Sequence, residues 1–258
     1  MRLLLAVLLM AMAALPAGAE DFDRITEAGS IKVGVCLNSE PSGFLGSDGK
    51  PKGYDIDVAT LMAAELGVTL ELVETSSATR ITDLLGGRID VIACNITATT
   101  VRARAIDFSF PYLRTGLKLL VRRDAGIGGF DDIGPGTRFL LGRDTTGEAL
   151  ALSRAPDAQF SYVSTPGDAL LVLRQGDADA YIADSLIADY MAKGNPDTLV
   201  SLPGSYSVDA IAFGVRKGNP ELLRWLDLFA SIYVSSGQYA ATYGKWWGGE
   251  PPPLVPVW

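Results

Sequence analysis

Two textures of apolar residue alternate along the first half of the chain. Short runs rich in β-branched residues, 31–35, 69–73 and 89–93, are separated by stretches whose apolar positions recur at helical spacing, 56–66 and 79–85. The runs predict buried strands and the spaced stretches predict helices. Strand alternating with helix implies βαβ units and a parallel sheet. Gly67 follows the first helical stretch and Gly86-Gly87 the second, where a glycine closes a helix. A second series then begins: 138–141, 146–152, 160–163, 166–173, 180–182 and 185–191. Gly176 stands before Asp177-Ala-Asp-Ala-Tyr-Ile-Ala-Asp184 as Gly87 stands before Arg88-Ile-Asp-Val-Ile-Ala93. The expected fold is α/β, with two similar open-sheet lobes.

Two extended stretches, 113–122 and 208–216, flank the second series and read as the crossing strands of a hinge. They place lobe 1 at 20–115 plus 209–258 and lobe 2 at 116–208. The segment 220–247 carries Leu222, Leu226, Phe229, Ile232 and Val234 at helical spacing and should pack back on a lobe. The proline-rich end 248–258 is expected to lie extended on the surface.

Before the first lobe, Arg2, an apolar run over 3–15 and Pro16-Ala-Gly-Ala19 form the pattern of a cleavable secretory signal peptide over 1–19. Its removal from the 258 residues leaves 239, enough for two lobes of about 100 residues each. No later run reaches the roughly 20 apolar residues of a spanning helix. The residue after the cut is Glu20, not a cysteine for a lipid anchor, so the periplasm is the simplest address.

Loss of Arg2 takes the net charge from −8 to −9, which argues against a nucleic-acid partner. The absence of histidine removes His-dependent triads and the commonest metal ligand, so neither a metal nor another cofactor is expected. Cys36 and Cys94 each follow a strand-like run in a chain read as exported. Parallel neighbouring strands would bring them to about 5 Å, within disulfide reach; two free buried thiols are the alternative.

The chemistry concentrates just past the run 89–93, at Asn95, Thr97, Thr99 and Arg102. In open α/β sheets ligands dock beyond the carboxyl ends of strands, and an arginine fork with hydroxyl donors matches a carboxylate. Among blander assignments, Asp55 and Asp57 suit a helix start, as does Glu148, while Trp246 and Trp247 read as packing.

Taken in order, several motifs resemble the solute-binding proteins of ABC importers, in family 3, which binds polar amino acids on the type 2 periplasmic-binding fold. They are Ile31-Lys-Val-Gly34, Asp48-Gly-Lys-Pro-Lys-Gly-Tyr-Asp55-Ile-Asp57, Leu84-Leu-Gly-Gly-Arg-Ile-Asp90, Thr97-Ala-Thr-Thr-Val-Arg102, Asp107-Phe-Ser-Phe-Pro-Tyr112, Thr145-Thr146 with Glu148, Asp179-Ala-Tyr-Ile-Ala-Asp184 and Tyr243-Gly-Lys-Trp-Trp247. The resemblance implies that Arg102 and Thr97 grip a ligand α-carboxylate. It implies that Thr145 and Thr146 complete that cage from lobe 2 and that Asp184 takes the α-ammonium. A capping role for Asp184 at the helix that follows is the other reading.

Departures concern the side-chain end of the ligand. Ser42 stands at the usual aromatic platform and Phe44 lies two residues on, as the aromatic available for stacking. Asp144 replaces a common glycine, and Thr100-Val101 replaces Pro-Glu. Arg80 would pair with an acidic or polar ligand side chain if it faces the cleft and would be a surface arginine otherwise; Arg143 poses the same choice. The resemblance implies a monomeric, non-enzymatic binding component that closes on an amino acid and docks on an inner-membrane ABC permease. A cyclohexadienyl dehydratase on the same fold, using Glu40 or Asp144 as a raised-pKa acid, and a ligand sensor are the alternatives.

Overall fold

The computed structural model describes residues 21–254, so the leader expected over 1–19 lies outside the described residues. The first part of the chain runs α1 (Asp21–Ala28), β1 (Ser30–Val35), β2 (Asn38–Ser39), β3 (Gly43–Leu45), β4 (Pro51–Lys52), α2 (Tyr54–Leu66), β5 (Thr69–Glu74), α3 (Arg80–Leu85), β6 (Val91–Ile92) and β7 (Ile106–Thr115). Next come β8 (Leu117–Arg122), β9 (Arg138–Gly142), α4 (Thr146–Arg154), β10 (Gln159–Val163), α5 (Pro166–Gln175), β11 (Ala180–Asp184), α6 (Ser185–Gly194) and β12 (Leu199–Ser201). β13 (Asp209–Arg216), α7 (Pro220–Ser235) and α8 (Gln238–Trp247) close it.

Two five-stranded sheets carry the architecture, in the orders β5-β1-β6-β13-β7 and β10-β9-β11-β8-β12. In each, the first three strands are parallel and the fourth is antiparallel. The fourth strand is what joins them. β8 enters the second sheet before its βαβ series, whereas β13 enters the first sheet after the second is complete. The extended stretch 113–122 is therefore two strands, one per sheet, broken at Gly116. A Cβ at Gly116 would collide with the Ser207 carbonyl, so the two crossings pass too close for a side chain. Asp209 pairs directly opposite Thr115 at that point.

Local chemistry explains the elements. Gly67 at φ 75° and Gly176 at φ 82° end α2 and α5 in the left-handed region; after α3 it is Gly87, at φ 72°, that takes this role. Thr165 opens α5 with a reciprocal cap to Asp168. The apolar faces of β1, β6 and β13 meet α2 and α7 in one core that buries Tyr54, Met62, Tyr112, Phe213 and Tyr233. Among the described residues no helix is long and apolar enough to cross a membrane.

β6 is shorter than the run 89–93. Asp90 and Ala93 nevertheless still donate from their backbone N–H groups to Lys32 O and Gly34 O of β1. This pairing sets Val33 against Val91 and Gly34 against Ile92, and so brings the two strand ends together. Cys36 and Cys94 are bridged, with Cα atoms 5.0 Å apart. The hairpin strands β2, β3 and β4, the short helix α1 and the edge strand β12 have no counterpart in the periodicity, being brief or mostly polar.

Candidate functional site

The carboxyl ends of β1, β6, β9 and β11 converge on one cavity of about 190 Å³ between the sheets. Arg80, Asn95, Thr97, Arg102, Thr145, Thr146 and Asp184 all line it. Phe44 does not. Its position in the β3 hairpin turns the ring toward α8, where it packs edge-on against Trp246 at 5.8 Å, in a separate cavity of about 750 Å³. The stacking expected of it is corrected on that ground, and Tyr181 is an aromatic that lines the first cavity instead. Ser42 is buried and its carbonyl accepts from Asp55 N–H.

Arg102 opens a 3-10 turn just beyond β6. Its Nη1 donates to Thr97 O at 2.8 Å and its Nη2 reaches across to Asp144 O at 2.5 Å, tying the two sheets' loops together. The other N–H groups of the fork are left for an anion. Burial pulls its proton affinity down, and the charges of Asp144 and Asp209 oppose that shift.

Arg80, at the start of α3, is only 4% exposed, so it lines the cavity and is no surface arginine. Nη1 donates to Cys94 O at 2.7 Å and to Asn95 O at 3.3 Å, while Nε has no partner. Burial, followed by the neighbouring Arg102 charge, brings its pKa down to about 9. Such a group favours an anionic neighbour that stabilises its charge. Arg143 lies instead 3.9 Å over the Tyr162 ring and is not among the lining residues.

The loop that carries these donors is held from below. Asn95 adopts φ 45°, a left-handed conformation that asparagine tolerates. Its N–H donates to Asp55 Oδ2 at 3.0 Å, and Tyr112 O–H donates to Asp55 Oδ1 at 2.9 Å. Asp55 is thus more than a helix-start residue: it is buried, with a pKa raised to about 7 by desolvation despite those two donors. Asn95 Oδ1 is a buried acceptor with no partner.

From the second sheet, Thr145 caps α4, accepting from Glu148 N–H at 3.0 Å and donating to Gly142 O at 2.8 Å. Its hydroxyl proton is therefore engaged. Asp144 precedes it at φ 57° and donates from its N–H to Glu148 Oε2 at 2.8 Å. Asp184 ends β11 and caps α6: Oδ1 accepts from Leu186 N–H at 2.9 Å and from Thr115 O–H at 2.7 Å. It caps the helix and lines the cavity at once. Burial raises its pKa to about 6 against those donors.

The sequence pattern missed Asp209, which opens β13 and is 8% exposed. Its Oδ2 lies 3.5 Å from Thr97 Oγ1 and 3.4 Å from Thr146 Oγ1, within the same cavity. Only its place at the foot of a hinge strand could have signalled it. Cationic and anionic groups thus face one small volume, as a zwitterion requires. No group of three or more His, Cys, Asp or Glu side chains that could hold a metal occurs among the described residues.

The chain is 29% identical over 209 residues to a glutamine-binding protein, GlnH, of an ABC transporter in Bacillus subtilis, covering 80% of this chain and 76% of that one. It is 28% identical over 230 residues to the L-cystine-binding protein TcyJ of Escherichia coli, covering 88% and 86%. Among solved structures, an ancestral amino acid-binding protein described as a precursor of cyclohexadienyl dehydratase superposes with a TM-score of 0.83 at 32% identity, covering 88% of this chain and 99% of that one. The family model for bacterial extracellular solute-binding proteins, family 3, matches residues 31–249, and the chain belongs to that family.

Proposed function

We propose that the protein is the periplasmic binding component of an ABC importer, exported by the leader 1–19, which captures an amino acid by hinge closure and delivers it to an inner-membrane permease. The lobes are 20–115 plus 209–258 and 116–208. One observation carries the reading: Arg102 and Asp184, from opposite sheets, line the same cavity. Arg102 with Thr97 and Thr146 suits the α-carboxylate; Asp184 and the unpartnered Asn95 Oδ1 suit the α-ammonium. Arg80, Ser76, Ser77 and Asn38 add further polar groups to the lining, which favours an acidic or polar side chain.

A thermal-shift screen of all amino acids and small dicarboxylates tests this. A rise in melting temperature with one or a few polar or acidic amino acids is the expected result; shifts with none of them would contradict it.

The dehydratase alternative gains one observation, a half-buried cavity carboxylate, Asp184, whose pKa near 6 suits proton transfer. It also loses two, because neither Glu40 nor Asp144 lines the cavity. Product formation from prephenate or arogenate would establish that alternative.

A further inference from the structure

Asp209 is an anomaly in the arrangement just described. A site meant to receive a carboxylate at Arg102 holds a carboxylate of its own beside it. Asp209 Oδ2 sits within 3.5 Å of both Thr97 and Thr146 hydroxyls, one from each side of the cavity. Each hydroxyl has a single proton to donate, so Asp209 and an incoming anion compete for both. Its charge also acts on Arg102 and on Asp184 alike, so it lies near both the cationic and the anionic group of the site.

A simple anion entering at Arg102 meets that negative charge unshielded. An amino acid brings its own remedy, because the α-ammonium lies one carbon from the α-carboxylate. An ammonium group has three N–H donors. The cavity offers acceptors on Asp184, on the unpartnered Asn95 Oδ1 and on Asp209.

We propose that Asp209 is a specificity-determining residue, an internal anion that makes the cavity select α-amino acids over carboxylates lacking the amino group. The inference rests on the amino-acid reading above. It places discrimination at the hinge: Asp209 faces Thr115 in the strand ladder, and Thr115 donates to Asp184. The paired hinge residues thus bear on both carboxylates that would meet the ammonium. The cost that Asp209 imposes on des-amino ligands is electrostatic, and a neutral isostere removes it without removing the side chain's bulk.

The test compares Asp209→Asn and Asp209→Ser with the wild type by calorimetric titration. The probes are three matched pairs: L-glutamate and glutarate, L-glutamine and 4-carbamoylbutanoate, L-cysteine and 3-mercaptopropanoate. For a pair whose amino acid binds the wild type, either variant should narrow the preference for the amino acid by about tenfold, the scale of one unit charge acting across a few ångströms in a partly screened site. Equal changes for both members of the pair, in both variants, would overturn the proposal and leave amino-acid binding standing. A wild type that takes glutarate or another des-amino acid as tightly as its amino acid would overturn it as well. If the wild type binds no amino acid in the screen above, both readings fall.

Discussion

Two desolvated carboxylates, Asp55 buried and Asp184 half-buried, set the pH behaviour of single residues in this protein. Asp55 and Asp184 have pKa values raised to about 7 and about 6 by burial, against an ordinary value near 4 in the unfolded chain. Between those limits the folded protein holds protons that the unfolded chain releases, so stability rises as pH falls from 8 toward 5. The melting temperature without ligand should follow that trend, and Asp55→Asn should flatten much of it. A melting temperature that climbs with pH over the same window would contradict these assignments. Asp55 also shows how much the residue pattern concealed. Its position at the start of α2 suggested a dipole role, yet its carboxylate reaches across to Asn95 and Tyr112. Asp209 was illegible for the same reason, since its partners are 112 and 63 residues away in sequence. Arg102, Thr97 and Asn95 could be read because their spacing after one strand places them together.

At the scale of elements, periodicity was a good guide wherever a strand or helix buries one face. β1, β5, β9, β10 and α2 lie within two residues of the predicted segments. It failed where tertiary pairing decides the outcome. β6 keeps two ladder residues of five, and the hairpin that turns Phe44 away from the cavity is set by β3 pairing with β2 and β4. The link between β1 and β6 is covalent, and it adjoins the loop that carries Asn95 and Thr97. Closing a segment of 58 residues, the Cys36–Cys94 bridge should contribute about 2–4 kcal/mol. The double variant Cys36→Ser, Cys94→Ser should therefore unfold at lower denaturant concentration under oxidising conditions and show no further loss on adding reductant. An unchanged midpoint would mean that the bridge adds nothing to stability.

At the scale of the whole molecule, the two sheets meet over the site. Arg102 reaches the Asp144 carbonyl, Tyr190 donates to Glu40 Oε1 at 2.8 Å, and Thr115 donates to Asp184. The first two contacts span the cleft, whereas the third lies at the hinge, and a ligand that adds to the cleft-spanning set would shift the balance toward a closed form. On the proposed function, this ligand is a zwitterion held between Arg102 and Asp184. Calorimetric titration of the strongest amino acid from the thermal screen into wild type, Arg102→Ala and Asp184→Ala tests it most directly. Measurable binding to the wild type is expected, with a loss of about 2–5 kcal/mol or more in either variant, as when one partner of a buried hydrogen-bonded charge pair is removed. Wild-type affinity retained in both variants would contradict it.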